Sequence, residues 1–135
     1  MVAVILVDSN VWIFAENASA DEHGIAARKV QRILGELGYG INAIVVAKVY
    51  HALSRLLGSA DAASRVSNIL SHPAGEWLTY KRETAARGVV LASRCQLRIN
   101  DALIAQQALE KKAPILTDNV RDFRKVRGLR VIGLR

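Results

Sequence analysis

Four of the six aspartates in this 135-residue chain fall where a carboxylate can act on a ligand. Asp8 directly follows an apolar run, Val2 to Val7, and Asp118 follows the segment Ile115–Thr117. Asp101 opens a stretch of helical spacing, and Asp122 lies four residues beyond Asp118, on the same face if that turn is helical. In an open parallel sheet, ligands bind at the carboxyl ends of the strands, where helix amino termini also gather. Carboxylates far apart in sequence can therefore converge on one sheet edge. Like charges held that close raise one another's pKa, so the cluster requires a positive partner. Mg²⁺ suits it, because it takes oxygen ligands, keeps several waters and needs only one or two carboxylates beside a substrate phosphate. Such an ion generates a hydroxide nucleophile, neutralises the phosphate and steadies the leaving oxygen. That is the chemistry of cutting a nucleic-acid backbone.

Each acid also has a plain structural use. Asp101 after Asn100 suits the first turn of a helix, where the dipole favours an acid. Asp8 can cap a turn at Ser9–Asn10, and Asp118 and Asp122 can be a turn residue and a solvated one. Taken together, strand–Asp–Ser–Asn near the start and strand–Thr–Asp–Asn near the end favour the functional reading.

The elements that must position these acids alternate between two periods. Val2 to Val7, apolar on both faces, predicts a strand buried in the middle of a parallel sheet. Ile25, Val30, Ile33, Leu34 and Leu37 give helical spacing over Ala20–Leu37, and Gly38 and Gly40 stop that helix. Residues Ile41 to Leu57 begin with a short apolar stretch and continue as a helix with Ala47, Tyr50, Leu53 and Leu57 on one stripe, ended by Gly58. Helices over Asp61–Leu70 and Glu83–Leu97 flank a short strand at Trp77–Tyr80. Asn100 reads as the N-cap of a helix from Asp101 to Lys111 or Lys112. A strand at Ile115–Thr117, a helical turn at Val120–Phe123 and a strand at Leu129–Ile132 complete the chain. Strands separated by helices predict a three-layer α/β/α fold with a central, mainly parallel sheet. The length predicts one domain over residues 1–135.

Half the chain is hydrophobic (51%), enough for a real core, while nineteen Lys and Arg against twelve Asp and Glu give a net charge of +7. Eight basic residues and two acids lie between Lys111 and Arg135, beside the Asp118 motif. Among them Arg121, Arg124, Lys125 and Arg127 are candidates for phosphate contact along a polyanion, with binding that weakens steeply as salt rises. The same patch suits an acidic partner segment. The single cysteine, Cys95, excludes an internal disulfide framework and a Cys-based zinc cluster, and reads as a small buried hydrophobe. His23, His51 and His72 follow no ligand spacing and read as surface or local hydrogen bonding. Trp12, Ile13 and Phe14 read as core or as a dimer and partner face. Gly35, Gly38 and Gly40 follow a helix rather than a strand, so they form no nucleotide fingerprint, and no Walker motif is present. The first residues lack a basic leader and are apolar for too few positions to form a signal peptide or a membrane span, which predicts a cytoplasmic protein without a membrane anchor.

With these residues in view, the chain resembles the PIN-domain superfamily, and within it the toxin ribonucleases of the VapC type. The resemblance rests on V-D-S-N-V-W at 7–12, N-D-A-L-I-A-Q-Q-A at 100–108 and I-L-T-D-N-V-R-D-F at 115–123, and spans essentially the whole chain. It implies a compact α/β/α fold, Mg²⁺- or Mn²⁺-dependent endoribonuclease activity, a homodimer, and a VapB-like antitoxin that occludes the site. Asp8, Asp101 and Asp118 match family metal-site and catalytic acids, Asp122 matches an accessory acid, and Ser9, Asn10, Thr117 and Asn119 are polar neighbours.

One position departs. The family pattern carries a glutamate where this chain has Lys48, within I-V-V-A-K-V-Y. An ammonium has three donors and no lone pair, so it cannot ligate a cation. About 4 Å from a carboxylate it would attract by about 4 kcal/mol at an effective dielectric near 20, before desolvation. Lys48 then either points away, contacts the scissile phosphate, or replaces the metal. The leading expectation is an RNA phosphodiesterase with reduced metal affinity. A first rival is a degenerate PIN domain that binds RNA or a protein without cleavage. A second is a receiver- or nucleotide-binding domain, which lacks support from any glycine loop.

Overall fold

The first strand, β1, is Val4–Val7, within the run expected over 2–7; the structure, a computed structural model, describes residues 4–135, and Val2 and Ala3 lie outside them. The chain continues through α1 (Ser9–Glu16), α2 (His23–Glu36), β2 (Gly38–Ile41), α3 (Ala43–Leu57), α4 (Ser59–Ser71) and β3 (Gly75–Trp77). It closes with α5 (Arg82–Cys95), α6 (Ile99–Lys111), β4 (Ile115–Thr117), α7 (Val120–Phe123) and β5 (Val131–Gly133). The five strands form one parallel sheet in the order β3-β2-β1-β4-β5. β1 is central, which is why its sequence is apolar on both faces. α1–α4 pack on one another as one group and α5 and α6 as another; the right-handed crossover rule for parallel strands sets the two groups on opposite faces of the sheet. This is the expected three-layer α/β/α arrangement, with a core that includes Leu6, Val7, Val11, Ile41, Val45, Leu53, Ile104, Ile115 and Phe123.

Several elements differ from the sequence reading. Ser9–Glu16 is a helix rather than a local turn; Asp8 is its N-cap and accepts a hydrogen bond from the Ser9 amide. Gly38 and Gly40 do more than stop a helix, because GYGI is itself the fully buried strand β2. The glycines are there for space. A Cβ on Gly40 would lie 2.6 Å from Leu78, and one on Gly75 would lie 2.8 Å from the ring of Tyr39, its cross-strand partner. Tyr39 is fully buried, meets Trp12 edge-on at 4.9 Å and donates its hydroxyl to the Ile69 carbonyl. β3 is Gly75–Trp77 rather than the expected Trp77–Tyr80, pairing with Tyr39–Ile41 of β2.

The buried stripe of α3 is Val45, Val49 and Leu53, whereas Ala47 and Tyr50 face outward. α6 begins two residues earlier than expected, with Arg98 at the cap and Asn100 already inside the helix. Gly128, at φ +84°, makes the turn that delays β5 to Val131. Among the described residues no helix is long and apolar enough to cross a membrane.

Candidate active site

The chain runs outward from β1 to β2 and β3, then returns to β4 on the other side of β1. The carboxyl ends of β1 and β4 therefore flank the point where strand order reverses, the usual crevice of an open parallel sheet. Asp8 leaves β1 there and Asp118 leaves β4. Asp8 is 3% exposed and both its oxygens are engaged: Oδ1 accepts from the Ser9 amide at 2.8 Å, Oδ2 from the Thr117 hydroxyl at 2.7 Å. Asn10 stitches the two strand ends together, donating towards Asp8 Oδ2 at 3.4 Å and accepting from the Asp118 amide at 3.2 Å. Thr117 Oγ1 also accepts from the Asn119 amide at 2.9 Å.

Asp101 comes from the first turn of α6 and is 7% exposed. Lys48 of α3 reaches it: Nζ lies 3.7 Å from Asp101 Oδ1, with the lysine side chain 39% exposed. Both groups act on Asp8. Burial raises the Asp8 pKa above its ordinary 3.8; the Thr117 and Ser9 hydrogen bonds oppose the shift, the negative charge of Asp101 adds to it, and Lys48 opposes it. Asp8, Asp101 and Lys48 thus form one electrostatic unit, and Lys48 does not point away.

The third expected acid is placed differently. Asp118 turns its carboxylate to Arg135, which donates from Nε at 3.0 Å and from its terminal nitrogen at 3.2 Å; the same guanidinium lies 3.4 Å from Glu22. Asp122 accepts from Asn119 at 3.0 Å and pairs with Lys125 at 3.3 Å, contacts that hold its carboxyl below the usual range. Among the described residues no three His, Cys, Asp or Glu side chains gather into a metal-holding group. What converges is a pair, Asp8 and Asp101. Two carboxylates are the number Mg²⁺ takes beside a substrate phosphate, so the donors fit a cation shared with substrate, provided Lys48 yields Asp101. Arg121 within α7, and Arg124, Lys125 and Arg127 just after it, are all exposed.

Sequence reasoning missed the residues that fix this geometry. Asn42, fully buried, caps α3 by accepting from the Val45 amide at 2.9 Å and donates to Gln107 Oε1 at 2.8 Å. It thereby ties the helix that carries Lys48 to the helix that carries Asp101. An Asn just after a strand and before an apolar helical run is a cap signal that was available; its partner Gln107 is not readable from spacing. Arg135 had no local signal at all. Of the histidines, His23 contacts the Phe14 carbonyl at 3.0 Å and His72 accepts from the Ala74 amide at 3.0 Å, both local bonds, and Cys95 is a free thiol, half-buried.

Comparison with known proteins agrees with this architecture. The PIN domain family profile matches residues 5–129, and the chain belongs to that family. Its fold is that of VapC toxins in solved VapBC complexes. The VapBC2 complex from Rickettsia felis bound to a promoter DNA fragment matches at 18% identity and TM-score 0.76, covering 96% of this chain and 98% of that one. DNA-bound VapBC from Salmonella typhimurium matches at 17% identity and TM-score 0.76, covering 98% and 99%. Mycobacterium tuberculosis VapC20, a sarcin–ricin loop cleaving toxin, matches at 16% identity and TM-score 0.72, covering 87% and 92%. None of the curated proteins compared matches the chain.

Proposed function

We propose that this protein is the endoribonuclease toxin of a type II toxin–antitoxin pair, a single PIN domain over residues 1–135 that hydrolyses RNA phosphodiester bonds with Mg²⁺ or Mn²⁺. The reading places it in the cytoplasm as a homodimer whose site is covered by a VapB-like antitoxin. The observation that carries it is the buried pair Asp8–Asp101 at the switch point of a PIN fold. The neighbours support it: VapC20 is described as cleaving the sarcin–ricin loop, and others are toxins in complex with an antitoxin.

Asp8 and Asp101 would hold the ion, which when bound supplies positive charge for the phosphate and eases deprotonation of water. The rest falls to the chain. Thr117 and the Ser9 amide fix the Asp8 carboxylate in one orientation. Burial raises its pKa above the ordinary carboxylate value, and the Thr117 and Ser9 hydrogen bonds oppose that rise. Arg121, Arg124, Lys125 and Arg127 supply phosphate contacts along the backbone. Asp118 joins the acid pair only where Arg135 releases it.

The Lys48–Asp101 ion pair favours a second reading, RNA or partner binding without cleavage. Incubating RNA with wild type and with Asp101→Asn, each in Mn²⁺ and in EDTA, separates the two. The nuclease reading expects fragments from wild type in Mn²⁺ alone. Equal behaviour of the two proteins, or fragments that persist in EDTA, would overturn it.

A further inference from the structure

Every acid that follows Asp8 along this sheet edge is already matched by a cation of the chain itself. Asp101 has Lys48 at 3.7 Å, Asp118 has Arg135 at 3.0 Å, and Asp122 has Lys125 at 3.3 Å. Asp8 is satisfied in another way, by hydrogen bonds accepted at both oxygens from the Ser9 amide and the Thr117 hydroxyl. A cluster so arranged has no outstanding demand for a dication, and an ion entering beside Asp101 would meet the ammonium of Lys48 as a like charge. Lys48 is also the mobile member. Asp101 is fixed in the first turn of α6 with its side chain 10% exposed, whereas Lys48 is 39% exposed on a flexible four-carbon stem with three donors.

We propose that the chain's own cations, Lys48 foremost, stand in for a divalent ion in the RNA-free protein, and that Lys48 passes from Asp101 to an RNA phosphate oxygen when substrate arrives. The second half rests on the RNA-cleaving reading; the first does not. Lys48 is thus both the counter-ion that keeps the site assembled without metal and a phosphate contact, and its departure from Asp101 vacates a carboxylate for an ion at the moment a phosphate is present to share it.

Calorimetric titration of Mn²⁺ into the RNA-free chain tests the first half. Lys48→Gln should bind Mn²⁺ at least about tenfold more tightly than wild type, while Arg32→Gln, which removes an equal charge from the Arg32–Glu36 pair on α2, should not. Wild type should melt at the same temperature in EDTA and in Mn²⁺, since an ion that binds only the folded state would raise it. Wild type holding Mn²⁺ as tightly as Lys48→Gln, or melting several degrees lower in EDTA, overturns the stand-in role. For the second half, a short single-stranded RNA is titrated in EDTA over a range of salt. Lys48→Gln should lower the slope of log affinity against log salt by about 0.7, the loss of one phosphate contact. An unchanged slope with normal RNA binding overturns the transfer alone, whereas wild type that binds no RNA overturns the transfer together with the RNA reading.

Discussion

Asp8→Asn is expected to lower RNA cleavage at least about 100-fold while leaving the fold as stable at neutral pH as the wild type, or more so. The amide keeps the shape of the carboxylate and still accepts from the Ser9 amide, so the cap of α1 survives. What it loses is a charge and a proton acceptor. The stability half of the expectation follows from the direction of the pKa shift. Burial raises the folded-state pKa of Asp8 above its ordinary 3.8, so between those two values the folded chain binds the proton more readily than the unfolded chain. The contribution of Asp8 to stability is therefore fully present below pH 3.8 and is lost as the pH rises through the raised value. Melting curves in EDTA at neutral and acid pH should show Asp8→Asn at its greatest advantage at neutral pH and lose that advantage on acidification. An acid retained only as a helix cap predicts unaltered cleavage by the variant, because Asn caps a helix as well as Asp does.

The second large effect belongs to a residue that touches no substrate. Asn42→Ala removes the cap of α3, a loss of about 1 kcal/mol, and leaves the Gln107 carbonyl unpaired in a buried setting, a further penalty of about 1–3 kcal/mol. The sum, about 2–4 kcal/mol, corresponds to a melting temperature lower by roughly 10 °C in a chain of this size. Because Asn42 joins α3 to α6, the variant should also loosen the spacing of Lys48 and Asp101. A double-mutant cycle isolates the bridge: Asn42→Leu with Gln107→Leu should be less destabilising than the sum of the two single changes, since neither polar group is then orphaned. Strict additivity would show that the two side chains do not depend on one another.

What the sequence made legible, and what it hid, divides along a physical line. β1 and β4 could be read because a strand buried on both faces must be apolar throughout, and each ends sharply at a polar cluster. α6 could be read from its period, and with it Asp101. β2 could not, because GYGI looks like a helix terminator until Tyr39 and Leu78 are seen to occupy the volume a Cβ would need. α1 was hidden because Val11, Trp12, Ile13 and Phe14 run together and show no helical period. Lys48 stood out because the family pattern carries a glutamate there; that it reaches Asp101 could not be read from the expected stripe, which named Ala47 and Tyr50 where Val45 and Val49 are buried. Arg135, seventeen residues from Asp118, was invisible for a simpler reason: β5 brings it back alongside β4, and only pairing shows that.

The acid pair at the β1–β4 switch point is the centre of this account, and anomalous diffraction at the manganese edge tests it most directly. Crystals of the chain grown with Mn²⁺ and an RNA whose phosphodiesters carry a methylene in place of the leaving oxygen, which water cannot displace, should show a manganese peak in direct contact with both Asp8 and Asp101, with the Lys48 ammonium moved from Asp101 onto the RNA. RNA bound along the surface with Lys48 still on Asp101 and no manganese between the two aspartates would contradict it.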